Sequence, residues 1–296
     1  MASANNAGPA PVRPPEVQDG LNRFIFHPLA HRLARALHPT GISPNLVSVA
    51  GTLLVWGAAF AYTGMDWPAS AILGFTLHAL WHVVDGADGD LARLTGKSSP
   101  TGELVDGVCD YSGHLILYIL LTAQLDDRLG AWAWVLAVAA SASHIVQNNH
   151  AETQRRTYLW WAYGVPWLKH AQTAGDEVFQ GRNWFSLTFG WMAREYIRLS
   201  QSMTPNAQRV DLALAASAGD PQESERIRRL VKEECAKSLE LQKLLGSNPR
   251  TIILGLSMAF GSPIWFFLAQ FVAMNLLLAY SVRHHNAANA RLVRRL

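Results

Sequence analysis

Cysteine is nearly missing from this chain. Its two cysteines, Cys109 and Cys235, lie far apart in 296 residues, which argues against a disulfide framework and against a zinc site. Charge of one sign is scarce too. A formal net charge of +3 is too small an excess to point to nucleic acid, although it suits basic groups lying beside an anionic membrane face. The first sixteen residues are rich in Ala, Pro and Asn and have no apolar core. They read as a disordered N-terminus over 1–16 rather than a signal peptide. No solenoid-type repeat is visible. What the chain does have is apolar residues, 50% of the total, with a mean hydropathy of only +0.07. That average hides long apolar runs alternating with charged segments. Tryptophan is abundant at 11 residues, as expected where indoles sit at lipid–water boundaries.

A bilayer core about 30 Å thick calls for about 20 mostly apolar residues per spanning helix. Candidate spans are Leu46–Thr63, Trp67–Val84, Leu104–Leu125 and Ala131–Val146. A last apolar stretch, Thr251 to Val282, is divided by Gly261-Ser262-Pro263 into a short fifth span and a sixth. The basic residues Arg23, Arg32, Arg35, Arg93, Lys97, Arg155, Arg156, Lys169, Arg283, Arg291, Arg294 and Arg295 all fall on one side of this pattern. Asp66, Asp126, Asp127 and Arg128 fall on the other. The positive-inside rule then places both termini and the 85–110 loop in the cytoplasm. Residues 17–38 interleave Leu21, Phe24, Ile25, Leu29, Leu33 and Leu37 with arginines, the pattern of an amphipathic helix on the membrane surface. The expected fold is thus an all-α integral membrane protein, with six transmembrane helices preceded by an amphipathic surface helix. Its parts are the disordered 1–16, the amphipathic helix and four spans over 17–150, a cytoplasmic insertion over 151–249, and the last two spans with a basic C-terminus over 250–296. The insertion carries two expected helices, about 184–203 and 222–245.

The chemistry concentrates where the second and third spans meet. Asp85 and Asp88 are three residues apart, and Asp106 and Asp110 four apart, so each pair shares a helix face. One pair closes the second span and the other opens the third, which lets two helices point four carboxylates at one another. Like charges so close oppose one another unless something positive binds them. Hard oxygen ligands favour Mg²⁺, Mn²⁺ or Ca²⁺ over zinc, and a carboxylate-held divalent pair suits in-line attack on phosphorus. Gly89, Ala92 and Gly102 are small enough for a nucleotide to approach the backbone, and Arg93 can pair with a phosphate. Asp90 lies about 200° round the helix from Asp88, so it is left out of the ligand set.

The spacing D-x2-D-G-x2-A-R-x8-G-x3-D-x3-D, from Asp85 to Asp110, resembles the signature of the CDP-alcohol phosphotransferase family at every specified position. The segment Pro39-Thr-Gly-Ile-Ser-Pro-Asn45 also resembles the start of that family's first helix. The resemblance covers roughly 17–150 and 250–285. It implies that a second alcohol attacks the β-phosphorus of a CDP-linked alcohol, releasing CMP, with a lipid as one substrate or product. It implies Asp85, Asp88 and Asp106 as ligands of Mg²⁺ or Mn²⁺, two ions in all. Asp110 would be the base, also touching metal. Asp85, Gly89, Ala92, Arg93 and Gly102 would hold the CDP part. A homodimer is usual in such families. Residues 98–104 and Cys109-Asp110 resemble the choline and ethanolamine phosphotransferases, which use diacylglycerol. Six spans resemble bacterial enzymes of the inner membrane that use CDP-diacylglycerol and a polar acceptor such as inositol phosphate or glycerol phosphate. The span count inclines the reading to the second, with the first as its alternative.

Around this site, His78 and His82 precede Asp85 on the same face and His114 follows Asp110 by one turn, each able to orient a carboxylate or to be satisfied by a neighbouring helix. His144, Asn148, Glu152 and Arg155 recur at helical spacing. Together with His114, the residues Asn148, Glu152, Arg155 and Arg156 form the candidate acceptor site, the arginines serving equally well as positive-inside anchors. The aromatic run Tyr158 to Trp167 reads as an interfacial anchor. A cation-binding transporter is the rival of another class. It expects carboxylates near mid-membrane and leaves Gly89, Ala92 and Gly102 without a role.

Overall fold

The computed structural model describes residues 13–175, 177–181 and 184–296, and every regular element among them is helical. Two compact units form. The first takes in Asp19–Ser141 and Asn248–Phe271; the second takes in residues 13–18, Ala142–Ser247 and Val272–Leu296.

The first unit begins where Asp19 accepts from the backbone N–H of Asn22 at 3.0 Å and from its side-chain amide at 2.7 Å. A π-helical turn, Asn22–Phe26, leads into α1 (His27–Leu37). Ala30 and Ala34 of α1 are fully buried, while Phe24, Ile25 and Leu29 are exposed. The amphipathic helix expected over 17–38 therefore starts later, because residues 15–17 make a separate 3-10 turn. Next, α2 (Pro44–Gly64) starts at Ser43, whose hydroxyl accepts from Leu46 N–H, with Pro44 in the first turn. The third helix, α3 (Ala69–Leu94), closes with Gly96 at φ 67°, where Lys97 N–H reaches back to Ala92 C=O at 2.8 Å. This left-handed closure favours glycine and turns the chain sharply. Then Ser99 caps α4 (Pro100–Leu129) by accepting from Gly102 N–H at 3.0 Å.

The core of this unit joins α2 (Val55, Ala58, Tyr62), α3 (Trp81), α4 (Leu117, Tyr118, Leu121) and the first turns of α5 (Ala131–Tyr163). Gly74 is needed for the close approach of α3 to α2, since a Cβ there would run into the ring of Tyr62. Many large apolar side chains face outward instead, among them Leu53, Phe60, Ile72, Leu115, Trp132 and Val138. Such an outward apolar face suits hydrocarbon, not water.

The second unit contains residues 142–163 of α5, then α6 (Leu168–Ala174), α7 (Glu177–Gln180), α8 (Trp184–Ser202), α9 (Ala207–Ala216), α10 (Pro221–Cys235) and α11 (Leu239–Leu244). Beyond it in sequence come α12 (Ser247–Ala259), α13 (Ile264–Leu268) and α14 (Met274–Arg295), the last of which returns to the second unit. Tyr158, Trp161, Val210, Val231, Leu239 and Leu292 make its core. The aromatic run read as an interfacial anchor is thus corrected in part: Tyr158, Trp161 and Trp167 are buried. The helix expected over 222–245 is broken at 236–238, where Ser238 Oγ donates to Cys235 C=O at 2.6 Å and competes with the helical pattern. The expected disorder over 1–16 lies outside the described residues as far as residue 12. Beyond it, Glu16 is held by the hydroxyls of Tyr158 (3.0 Å) and Tyr163 (2.5 Å).

Three helices among the described residues are long and apolar enough to cross a membrane: Pro44–Gly64, Thr101–Leu129 and the continuous run Ile264–Arg295. The other expected spans fall on α3, α5 and α12. His78 and His82 dilute the hydropathy of α3, Gln147 to His150 that of α5, and α12 has 13 residues. The expected end of the fourth span at Val146 does not end a helix. No breaker occurs before Gly164, at φ 70°, so α5 runs on to Tyr163.

Candidate active site

The sharp turn between α3 and α4 returns the chain on itself and pairs the acidic residues crosswise. Asp85 is hydrogen-bonded to Asp110, and Asp88 to Asp106. One oxygen from each of Asp85, Asp106 and Asp110 lies within 4.8 Å of the others. Asp88 is buried beside them and receives the hydroxyl proton of Ser48 on α2 at 2.5 Å. Two carboxyl groups in contact need a proton or a cation between them. An all-oxygen donor set of this size and spacing fits a hard divalent cation, so the residues present are compatible with such an ion.

The residues read as nucleotide-binding lie on the same stretch. The guanidinium of Arg93 lies over Gly89, and a Cβ on Gly89 would stand 3.4 Å from Arg93 Nη2. Arg93 is held by Asp90 at 2.6 Å, and Asp90 also meets His31 of α1 at 3.4 Å. Asp90 thus faces α1, away from the four clustered carboxylates. Ala92 is half-buried, and the N–H of Gly102 is engaged by the Ser99 cap.

Behind the carboxylates sits an aromatic and histidine layer. The indole of Trp81 bonds the carboxyl of Asp110, and its ring packs edge-on against His114 with centroids 4.8 Å apart. His114 Nδ1 bonds the main-chain carbonyl of Asp110 at 2.8 Å, not its carboxyl. His82 Nε2 meets Thr251 Oγ1 of α12 at 2.9 Å, and the same hydroxyl lies 3.4 Å from His78 Nε2. Both histidines thus face α12 through Nε2, while His78 Nδ1 is buried without a hydrogen-bond partner among the described residues.

The candidate acceptor residues other than His114 belong to the second unit. Glu152 takes a bidentate fork from Arg155, at 2.8 and 2.5 Å, and a bond from Arg156 Nε at 2.6 Å. Burial alone would raise the Glu152 carboxyl, but the two arginines outweigh it and hold it well below the ordinary carboxylate range. Asn148 is half-buried one turn earlier on α5. The arginines thus already engage a carboxylate, and a phosphate would have to compete with it.

Comparison with known proteins bears on the same stretch. The family model described as CDP-alcohol phosphatidyltransferase matches residues 41–166, which include all four clustered aspartates. Human ethanolaminephosphotransferase 1 is 33% identical over 167 residues, covering 49% of this chain and 41% of the human protein. The mouse protein of the same name is 25% identical over 171 residues, with 49% and 40% covered. The Arabidopsis thaliana choline/ethanolaminephosphotransferase 2 is 27% identical over 125 residues, with 40% and 32% covered. The chain thus spans about two fifths or less of the length of these curated relatives.

Within the matched residues 41–166, spacing alone marks the aspartates but not Ser48 and Trp81, which touch two of them. Ser48 could have been found as a hydroxyl inside the apolar run of α2. Trp81 could have been found at four residues before Asp85, on the same face.

Proposed function

We propose that this chain moves a substituted phosphate from a CDP-linked amino alcohol of the ethanolamine or choline type onto the hydroxyl of a lipid alcohol such as diacylglycerol, releasing CMP. The observation that carries the reading is the crosswise meeting of Asp85 with Asp110 and Asp88 with Asp106 inside the matched domain. The relatives carry the choice of head group, and they favour it over the CDP-diacylglycerol reading toward which the span count inclined. Residues 98–104 and Cys109-Asp110 point the same way.

On this reading Asp85, Asp88 and Asp106 would hold Mg²⁺ or Mn²⁺, which would neutralise the facing carboxylates and the pyrophosphate of the donor. Gly89 and Ala92 leave room for the nucleotide beside α3. Arg93 exchanges part of its contact with Asp90 for a phosphate oxygen. Asp110 takes the proton of the acceptor hydroxyl as its oxygen attacks the β-phosphorus. A new P–O bond forms, the bond to the CMP oxygen breaks, and CMP leaves with the electron pair. Trp81 keeps the Asp110 carboxyl turned toward the site. We read the chain as six spans with both termini inside, and on that reading the positive-inside rule puts this chemistry at the cytoplasmic membrane face.

The test is incubation of the purified protein with CDP-ethanolamine, CDP-choline or CDP-diacylglycerol, each with diacylglycerol, glycerol phosphate and inositol phosphate in parallel. Lipid products are identified by mass spectrometry. Phosphatidylethanolamine or phosphatidylcholine formed with CMP supports the reading. Product only from CDP-diacylglycerol overturns the choice of donor.

A further inference from the structure

We propose that Ser48 and Thr52 of α2 are positioning residues that fix the gap between the two carboxylate pairs and so set the site's affinity for a divalent cation. The inference rests on the phosphotransfer reading above. Ser48 Oγ lies 2.5 Å from Asp88 Oδ2 and 3.3 Å from Pro44 C=O. A hydroxyl has one proton to give, and the nearer acceptor takes it. Both side chains are buried, Ser48 7% and Asp88 5% exposed, so water does not compete for that oxygen. Ser48 thus anchors one oxygen of the carboxyl group that meets Asp106.

Thr52 lies one turn further along the same face. Its hydroxyl is 3.2 Å from Ser48 C=O and 3.2 Å from Cys109 C=O on α4. Cys109 sits between Asp106 and Asp110, so α2 reaches the middle of the second carboxylate pair as well as one member of the first. Glycine at both crossings suits this close approach, most clearly at Gly113. A Cβ on Gly51 would lie 3.4 Å from the Trp81 ring, and one on Gly113 would lie 3.3 Å from Val55 Cβ. The ordinary use of a hydroxyl in these helices is different. Thr63, Thr76 and Thr122 bond the carbonyl one turn back in their own helix. Ser48 and Thr52 reach other helices. They tie α2 to both α3 and α4 where mutual repulsion of the carboxylates works to spread those helices apart. Hydrogen-bond partners of metal ligands of this kind commonly change affinity 10–100-fold when removed.

The experiment is Mn²⁺ binding to the purified full chain, read by loss of the free-ion electron paramagnetic resonance signal, with melting temperature measured with and without Mn²⁺. Ser48→Ala should weaken binding about tenfold or more and lose most of the Mn²⁺-induced rise in melting temperature, while folding normally without metal. Ser48→Thr, which keeps the hydroxyl, should restore the affinity, and Thr52→Val should weaken it less than Ser48→Ala. If Ser48→Ala does not fold, Ser48→Cys, a weak donor, must show the same loss. Wild-type affinity in folded Ser48→Ala, alongside lost binding in Asp88→Asn, overturns the inference and leaves the phosphotransfer reading standing. A wild-type chain that binds no Mn²⁺ overturns both.

Discussion

The aspartates of α3 and α4 and the Glu152–Arg155–Arg156 group of α5 are both charge clusters on helices, and they are balanced in opposite ways. In the first, carboxyl groups meet carboxyl groups. In the second, one carboxylate takes three bonds from two guanidinium groups and is complete within its own unit. A cluster that is whole by itself has a structural use ready to hand. A cluster that leaves like charges facing one another is kept for what it binds. Substitutions should therefore separate the two regions, with activity lost from one and stability from the other.

The largest effect is expected at the proposed base. Asp110→Asn should lower CMP release roughly 10³-fold or more, measured on purified protein, whereas Arg155→Gln should leave most activity in place. Equal losses from the two would erase the contrast. Removing divalent cations with a chelator should likewise abolish turnover, and adding back Mg²⁺ or Mn²⁺ should restore it.

A pH scan sharpens the second region. His150 is fully buried, with Nε2 bonded to Ser281 Oγ at 3.1 Å and the ring of His285 edge-on at 6.2 Å. Burial pulls its imidazole down from 6.5 to about 4. The unfolded chain then binds a proton that the folded chain refuses between those values. The stability this group contributes is complete above about pH 6.5 and falls as the pH drops toward 4, with on the order of 3 kcal/mol involved. The depressed Glu152 carboxyl adds a further loss below its ordinary value of 4.5. Melting temperature against pH, wild type beside His150→Gln, should show the variant flatter between pH 6.5 and 4. Parallel curves would contradict the assignment.

The smallest effects have opposite signs. Glu152→Gln strands two arginines and should cost about 1–2 kcal/mol. Asp110→Asn gives Asp85 an amide donor in place of a carboxyl group with which it must share a proton, and should raise the stability of the metal-free protein by about 1 kcal/mol. Thermal melts of both in the presence of a chelator check this, and a fall in both would break the comparison.

How far the chain could be read without its structure differs between these regions for physical reasons. The aspartates were legible because spacings of three and four residues put each pair on one face. Asp90 was legible as an outsider by the same geometry, and it indeed turns to His31. The crosswise pairing was not, because it depends on the tight closure at Gly96 and the cap at Ser99. Ser48 and Thr52 were overlooked because hydropathy averages treat two hydroxyls in an apolar run as noise. Helix ends were misjudged where apolarity stopped before helix did: α5 runs on to Tyr163 and α14 to Arg295. Tyr158 and Trp161 were misread because aromatic density marks a packed core as readily as a membrane boundary.

The most direct measurement uses CDP-ethanolamine labelled at the β-phosphorus, diacylglycerol, and the purified protein with and without Mn²⁺, following the label into lipid. The account predicts label in phosphatidylethanolamine with wild-type protein and Mn²⁺, and none after chelation or in Asp110→Asn. Label transferred equally well by Asp110→Asn, or undiminished without a divalent cation, would contradict it.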